Sequence, residues 1–263
     1  MPASFPEEAL RAQAVAARTY TLYKAEHPAD GSAHPNAPVC TDPNHCKAFW
    51  DPALFHEKWE ENTEIYTQKL REAVSDTDGL IVLYEDAPIQ SVFHAASSGQ
   101  TERAADVWGK DLPYLQSVQS PGEEESPRYY GRVEMTPDEF KTTFSSAYPE
   151  ASFGKTPQGW FTNIKKSPSG GVISLTVGGV SIPGTRLRAM FGLQSANMTI
   201  TATDTGIVID TLGYGHGVGM SQYGARALAL EGKSFTEILT HYYQGTTVGT
   251  YAADYSQAIN DGA

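Results

Sequence analysis

Cysteine is nearly absent: the 263 residues contain only Cys40 and Cys46. Two cysteines cannot staple a disulfide miniprotein, so the fold must rest on a buried core. Cations are also scarce, 19 Lys and Arg against 31 Asp and Glu, for a net charge of −12. That balance argues against nucleic acid, which is usually met by a basic patch that releases counterions. No stretch approaches the roughly 18 consecutive apolar residues of a spanning helix. Charge enters almost at once, which predicts no signal peptide in the visible chain. There is no internal repeat. Aromatics, by contrast, are plentiful, with four Trp, fourteen Tyr and ten Phe. They supply a core, and they leave carbohydrate open as a ligand, since sugars are recognised by aromatic faces and neutral hydrogen bonds.

Hydrophobic spacing predicts a helix from Ser4 to about Ala25, with Ser4 as cap, Pro6 in the first turn, and Glu7 and Glu8 at the favourable end of the dipole. A loop rich in Pro, His and Asn follows from Pro28 to Pro43. A second helix is expected from about Leu54 to Val74, then a turn at Asp76–Gly79. Leu80–Tyr84 and Gln90–His94 read as a hairpin around Glu85–Pro88. Thr136-Pro137-Asp138-Glu139 starts a helix. Further strands are expected at Val172–Val177, Met198–Thr203 and Ile207–Asp210, a short helix opened by Ser181–Thr185 and running through Arg188, and closing helices at Ser221–Leu230 and Thr236–Tyr243. Helices and strands mix without regular βαβ alternation, so the class is α+β, with short antiparallel strands. Two lobes around a substrate cleft are expected, residues 1–115 and 116–251, followed by a tail at 252–263.

Three segments carry chemistry. Cys40 and Cys46 flank a loop containing His45, with His34 six residues upstream of Cys40. Thiolate and imidazole are zinc ligands, and one histidine would complete a three-residue set, His34 or alternatively His45. The gap between the cysteines exceeds common zinc-finger spacing, so a local disulfide or two plain thiols stay open. The second segment, His94-Ala95-Ala96-Ser97-Ser98-Gly99-Gln100-Thr101-Glu102, is small and polar, which lets a ligand approach the backbone. It lacks a G-x-S-x-G elbow, and its plain reading is a tight polar turn. In the third, Gly213 to Ala225, alternating glycines surround His216. The spacing fits neither a dinucleotide fingerprint nor a P-loop. His216, Gly217, Ser221, Gln222 and Tyr223, with Ser97, Ser98 and Gly99, are the expected substrate-binding residues on a shared groove. The plain alternative is a glycine turn whose histidine serves a core hydrogen bond.

Taken together, Glu8–Tyr20, the Cys40–Cys46 loop, Ala95–Gly109, Pro113-Tyr114-Leu115, Gly215–Ala225 and His241-Tyr242-Tyr243 resemble, in order, the sporulation stage II protein D family, which includes the amidase enhancers. The resemblance implies a lytic transglycosylase acting on glycan strands stripped of stem peptides. One carboxylic acid protonates the glycosidic oxygen and then serves as base toward the C6 hydroxyl of N-acetylmuramic acid, leaving a 1,6-anhydro end. It also implies structural zinc on Cys40, Cys46 and His34, work in sporulation (engulfment) outside the cytoplasm, at the cell envelope, and partnership with a cell-wall amidase and other engulfment proteins. Anchoring would fall to a membrane segment ahead of this chain.

The family's acid belongs to a Glu-Met-Pro sequence, so the resemblance puts it immediately before Met1. Glu8 is the nearest carboxylate within a family motif, a candidate acid with a competing role as a helix-start carboxylate. Two rivals remain at this level. One is a non-catalytic activator of an N-acetylmuramoyl-L-alanine amidase; the other is a zinc hydrolase.

Overall fold

The computed structural model describes residues 1–27, 37, 39–42, 46 and 49–251. Helix α1 spans Glu7–Glu26 and buries Ala9, Leu10, Ala12, Val15, Ala16, Thr19 and Leu22. Ser4 does not cap it. Pro6 takes the cap position without a side-chain bond, because residues 2–5 close their own turn, Phe5 N–H to the Pro2 carbonyl. The helix expected at Leu54–Val74 is broken: α2 covers Phe55–Trp59 and α3 covers Thr63–Ser75. Glu60 sits at the break with φ +46°, a conformation that no α-helix accommodates.

Strand β1, Leu80–Tyr84, pairs antiparallel with β2, Ala87–Pro88. The turn is Glu85–Asp86, both at positive φ, the two-residue hairpin whose twist matches the strands. The chain then leaves β1, and β3, Phe93–His94, pairs in parallel with β10, Met220–Ser221. The hairpin expected through His94 therefore stops at Pro88. Helix α4 spans Ala104–Trp108.

The middle of the chain builds two three-stranded antiparallel sheets. In one, β9 (Ile207–Leu212) lies between β4 (Tyr130–Met135) and β8 (Met198–Ala202). In the other, β6 (Val172–Val177) lies between β5 (Phe161–Lys166) and β7 (Val180–Pro183). Helix α5, Pro137–Ala147, starts on a reciprocal capping box between Thr136 and Glu139, and α6 covers Gly184–Met190. Helix α7, Gln222–Leu230, is capped by Ser221, and α8, Phe235–Tyr242, by Ser234. Finally β11, Thr247–Thr250, pairs with β1. The class is α+β.

Two hydrophobic cores result. One surrounds α1 and joins Leu10, Val15, Val82, Ile89 and Leu115 to Met220, Ile238, Leu239, Tyr242 and Tyr243. The other holds Phe140, Phe144, Trp160, Leu175, Leu187, Ile207 and Ile209. The first core thus combines residues from both sides of the division expected near residue 115. Small residues make this possible: Ala9, Ala12 and Ala16 are fully buried on α1, and α3, α7, α8 and β1 all pack against that helix. Among the described residues no helix is long and apolar enough to cross a membrane.

Candidate functional site

The second and third chemical segments fold onto each other. Ala96 and Tyr214 exchange backbone bonds at 3.1 and 2.7 Å, and Glu102 N–H reaches the Gly217 carbonyl at 2.8 Å. This close approach requires glycine. Gly219 has φ +71°, and a Cβ there would collide with the Val92 carbonyl oxygen. A Cβ on Gly215 would stand 2.7 Å from His94 Cβ.

Beneath the junction lies a buried carboxylate. Glu123 is 1% exposed. Its Oε1 accepts Ser97 Oγ–H at 2.8 Å and Ser120 Oγ–H at 2.5 Å, and its Oε2 accepts Ser221 Oγ–H at 2.8 Å. Ser120 also bonds the buried Tyr242 hydroxyl at 2.7 Å. Burial pushes the Glu123 pKa up, against the pull of these hydroxyls. Ser97 and Ser221 therefore meet, but around a buried carboxylate. Ser221 also caps α7 through Gly224 N–H at 3.3 Å, and it is wholly buried.

His216 has both ring nitrogens engaged. Nδ1 accepts Val218 N–H at 3.1 Å, so Nε2 carries the proton and donates to the Phe93 carbonyl at 3.1 Å. Burial, then the nearby Arg188 charge, lowers its pKa to about 4. The neutral ring lies 5.2 Å from Trp108 and 5.5 Å from His94, centroid to centroid. His94 donates from Nδ1 to the Val218 carbonyl at 3.1 Å, and burial lowers its pKa to about 3. Neither imidazole is poised for proton transfer near neutrality.

Ser97, Ser98, His216 and Gly217 line one narrow pocket with Gln100, Glu102 and Asp106. Gln222 and Tyr223 point elsewhere, toward the start of α1. Gln222 Nε2–H donates to Gln13 Oε1 at 2.9 Å, and Tyr223 stands edge-on to Phe5 at 5.1 Å. Gly99 donates its N–H to Ser97 Oγ at 3.2 Å and shapes the turn. Beside the start of α1 runs an open groove of about 470 Å³, lined by Met1, Pro2, Ala3, Ser4, Lys58, Trp59 and Tyr66. That size falls within the ordinary range of ligand clefts.

Glu8 is committed elsewhere. It pairs with Arg11, and its Oε2 accepts Phe235 N–H at 2.6 Å, at the first turn of α8. Arg11 also bonds Asp76 at 2.7 Å. Cys40 and Cys46 are half-buried and not joined in a disulfide. Both lie near the Tyr20 hydroxyl, whose pKa is raised by burial and then by the two thiols. His34 and His45 lie outside the described residues, as does the tail at 252–263.

A family model described as stage II sporulation protein matches residues 1–84. Stage II sporulation protein D of Bacillus subtilis (strain 168) is 34% identical over 248 residues, spanning 94% of this chain and 70% of that protein. The chain belongs to the stage II sporulation protein D family. The Bacillus amyloliquefaciens protein of the same name is 34% identical over 253 residues, with the same coverage of 94% and 70%. The amidase enhancer of Bacillus subtilis (strain 168) is 28% identical over 299 residues, 95% of this chain and 39% of that protein. In this member of the stage II sporulation protein D family, the residues that sequence reasoning missed are Glu123 and Glu102. Glu123 sits in a run of three glutamates of which it alone is buried, and nothing in the run separates it from its neighbours. Glu102 ends the small polar segment without any sign that its carboxyl turns inward.

Proposed function

We propose that this chain is a peptidoglycan lytic transglycosylase of sporulation, cleaving peptide-stripped glycan strands to 1,6-anhydro-muramic ends. Family membership along 94% of the chain carries the reading. The aromatic groove beside Met1 supports it, because Trp59 and Tyr66 offer faces on which sugars stack. The groove also borders the position where the family resemblance puts the acid, directly ahead of Met1-Pro2. Such chemistry needs one carboxylic acid, because the nucleophile is the substrate's own C6 hydroxyl. Glu8 is poorly placed for it, since its two oxygens are already committed to Arg11 and to Phe235 N–H at the start of α8.

The same reading gives the chain a structural zinc on Cys40, Cys46 and His34, with His45 as the alternative third ligand. The donor set fits: two thiols near the Tyr20 hydroxyl, with histidine in the same stretch of sequence, is zinc chemistry of the structural kind. The protein works outside the cytoplasm, at the cell envelope, on glycan strands and alongside a cell-wall amidase.

Digestion of peptide-stripped glycan tests the proposal, with anhydro-muramic ends counted by mass spectrometry. A form carrying glutamate directly ahead of Met1 should release them. Glutamine at that place should lower the yield by about 10²–10⁴-fold. One observation favours a second reading, activation of an N-acetylmuramoyl-L-alanine amidase: a relative matched along 95% of this chain is named an amidase enhancer. Stimulation of an amidase with no anhydro ends from either form would decide for it.

A further inference from the structure

Glu102 belongs neither to the aromatic groove nor to the Glu123 network. It lies between β3 and α4 and is 8% exposed. Its Oε1 accepts Gly171 N–H at 3.0 Å, and the Ser167 hydroxyl, which shares that N–H, stands beside the carboxyl, while Oε2 is buried with no hydrogen-bond partner among the described residues. Asp106, in the first turn of α4, also leaves a buried Oδ2 without a partner among the described residues. Both side chains line the narrow pocket between the two cores. A buried acceptor without a donor costs stability, so a fold that retains two of them in one pocket calls for a ligand that brings a donor.

Glycine clears the space around this carboxyl. A Cβ on Gly171 would stand 2.5 Å from Glu102 Oε1, and one on Gly217 would stand 2.9 Å from its Cγ. The rest of the wall sets apolar side chains, Ala96, Val107, Val172, Ile173 and Ala196, beside polar ones such as Gln100, Thr185 and Asn197. The pocket measures about 30 Å³, room for roughly two or three water-sized groups. A sugar ring is too large for it. An anion would meet two carboxyls, and an ammonium would give up its hydration against alkyl side chains. A small group with one N–H and one methyl fits both walls.

We infer that this pocket binds the acetamido group of an N-acetylhexosamine, its N–H donated to the Glu102 carboxyl and its methyl set among the alkyl side chains. The inference rests on the glycan reading above and adds the place where the acetyl group is recognised. The sugar ring itself stays outside the pocket.

Calorimetric titration of the whole chain tests it, using a tetramer of N-acetylglucosamine and the same tetramer without its acetyl groups. The acetylated tetramer should bind at least about tenfold more tightly. E102Q turns an amide donor toward the ligand N–H, and A196L fills the methyl site. Each should weaken binding of the acetylated tetramer by about tenfold or more, with an unchanged circular dichroism spectrum. Equal binding of the two tetramers overturns the inference while leaving the glycan reading intact. Tighter binding of the deacetylated tetramer would mark an ammonium site and overturn it too, as would full affinity in both folded variants. Binding of neither tetramer would count against the glycan reading itself. The comparison of the two tetramers on the unaltered chain stands even if a variant fails to fold.

Discussion

Glu123 gathers three hydroxyl donors from three separate stretches of chain, Ser97, Ser120 and Ser221. Truncation to alanine leaves those hydroxyls buried without an acceptor, and Glu123→Ala should cost about 2–4 kcal/mol in urea unfolding. The pH dependence has a definite sign. Burial raises the folded pKa of Glu123 above the ordinary carboxyl value, so the folded state holds the proton more firmly than the unfolded chain. Its contribution is complete below the unfolded pKa and is lost as pH rises through the folded one. Glu123→Gln lacks that loss. Its stability relative to the parent should therefore improve steadily as pH rises from acid to neutral, and a flat difference would refute the assignment. His216 behaves in the opposite way. Its folded pKa, about 4, lies below the ordinary histidine value of 6.5, so its contribution is present above 6.5 and drains away as pH falls toward 4. His216→Ala strands Val218 N–H and the Phe93 carbonyl. The expected loss is about 2–4 kcal/mol at pH 7, shrinking at pH 4.5.

At the scale of elements, the parallel pairing of β3 with β10 holds the glycine-rich segment against the Ser97 turn. Gly219 is the position that permits it, since a side chain would meet the Val92 carbonyl oxygen and φ is +71°. Gly219→Ala should destabilise by more than about 2 kcal/mol, measured as a lowered denaturation midpoint with unchanged m-value. Beyond their shared core, one carboxylate ties helix α8 to α1. Glu8 Oε2 takes the Phe235 N–H that the Ser234 capping box leaves unused. Glu8→Ala should cost about 1–2 kcal/mol, as for other lost helix caps. Glu8→Gln should leave the yield of anhydro ends largely unchanged. Abolition of that yield in a folded Glu8→Gln protein would make Glu8 the acid after all.

At the scale of the whole molecule, two cores share one chain that leaves the first core, builds the second, and returns. Cys40 and Cys46 lie near the Tyr20 hydroxyl of α1. Protein purified without chelator should carry about one zinc per chain, and chelation should lower its melting temperature. Elemental analysis and a melting curve with and without chelator check both. A metal-free protein with a Cys40–Cys46 disulfide would refute the zinc assignment.

Local rules made much of this fold legible in the sequence. The α1 stripe of alanines, the Thr136 capping box, Ser221 as the cap of α7, and strands β1, β6, β8 and β9 all follow from short-range patterns of side-chain period and caps. Strands β4, β5 and β11 escaped because none of their residues is buried, so no apolar period marks them; β4 and β11 are set instead by pairing with strands far along the chain, Tyr130 with Leu212 and Thr250 with Leu80. The candidate site divides in the same way. The glycine-rich segment and the Ser97 turn announce themselves by composition, since close backbone approach demands small residues. Their partners do not. Which of the three glutamates at 123–125 turns inward, and where the Glu102 carboxyl points, depend on hydroxyls and amides contributed from about 20 to 100 residues away. A buried charge is defined by what surrounds it, and only the tertiary structure assembles those surroundings.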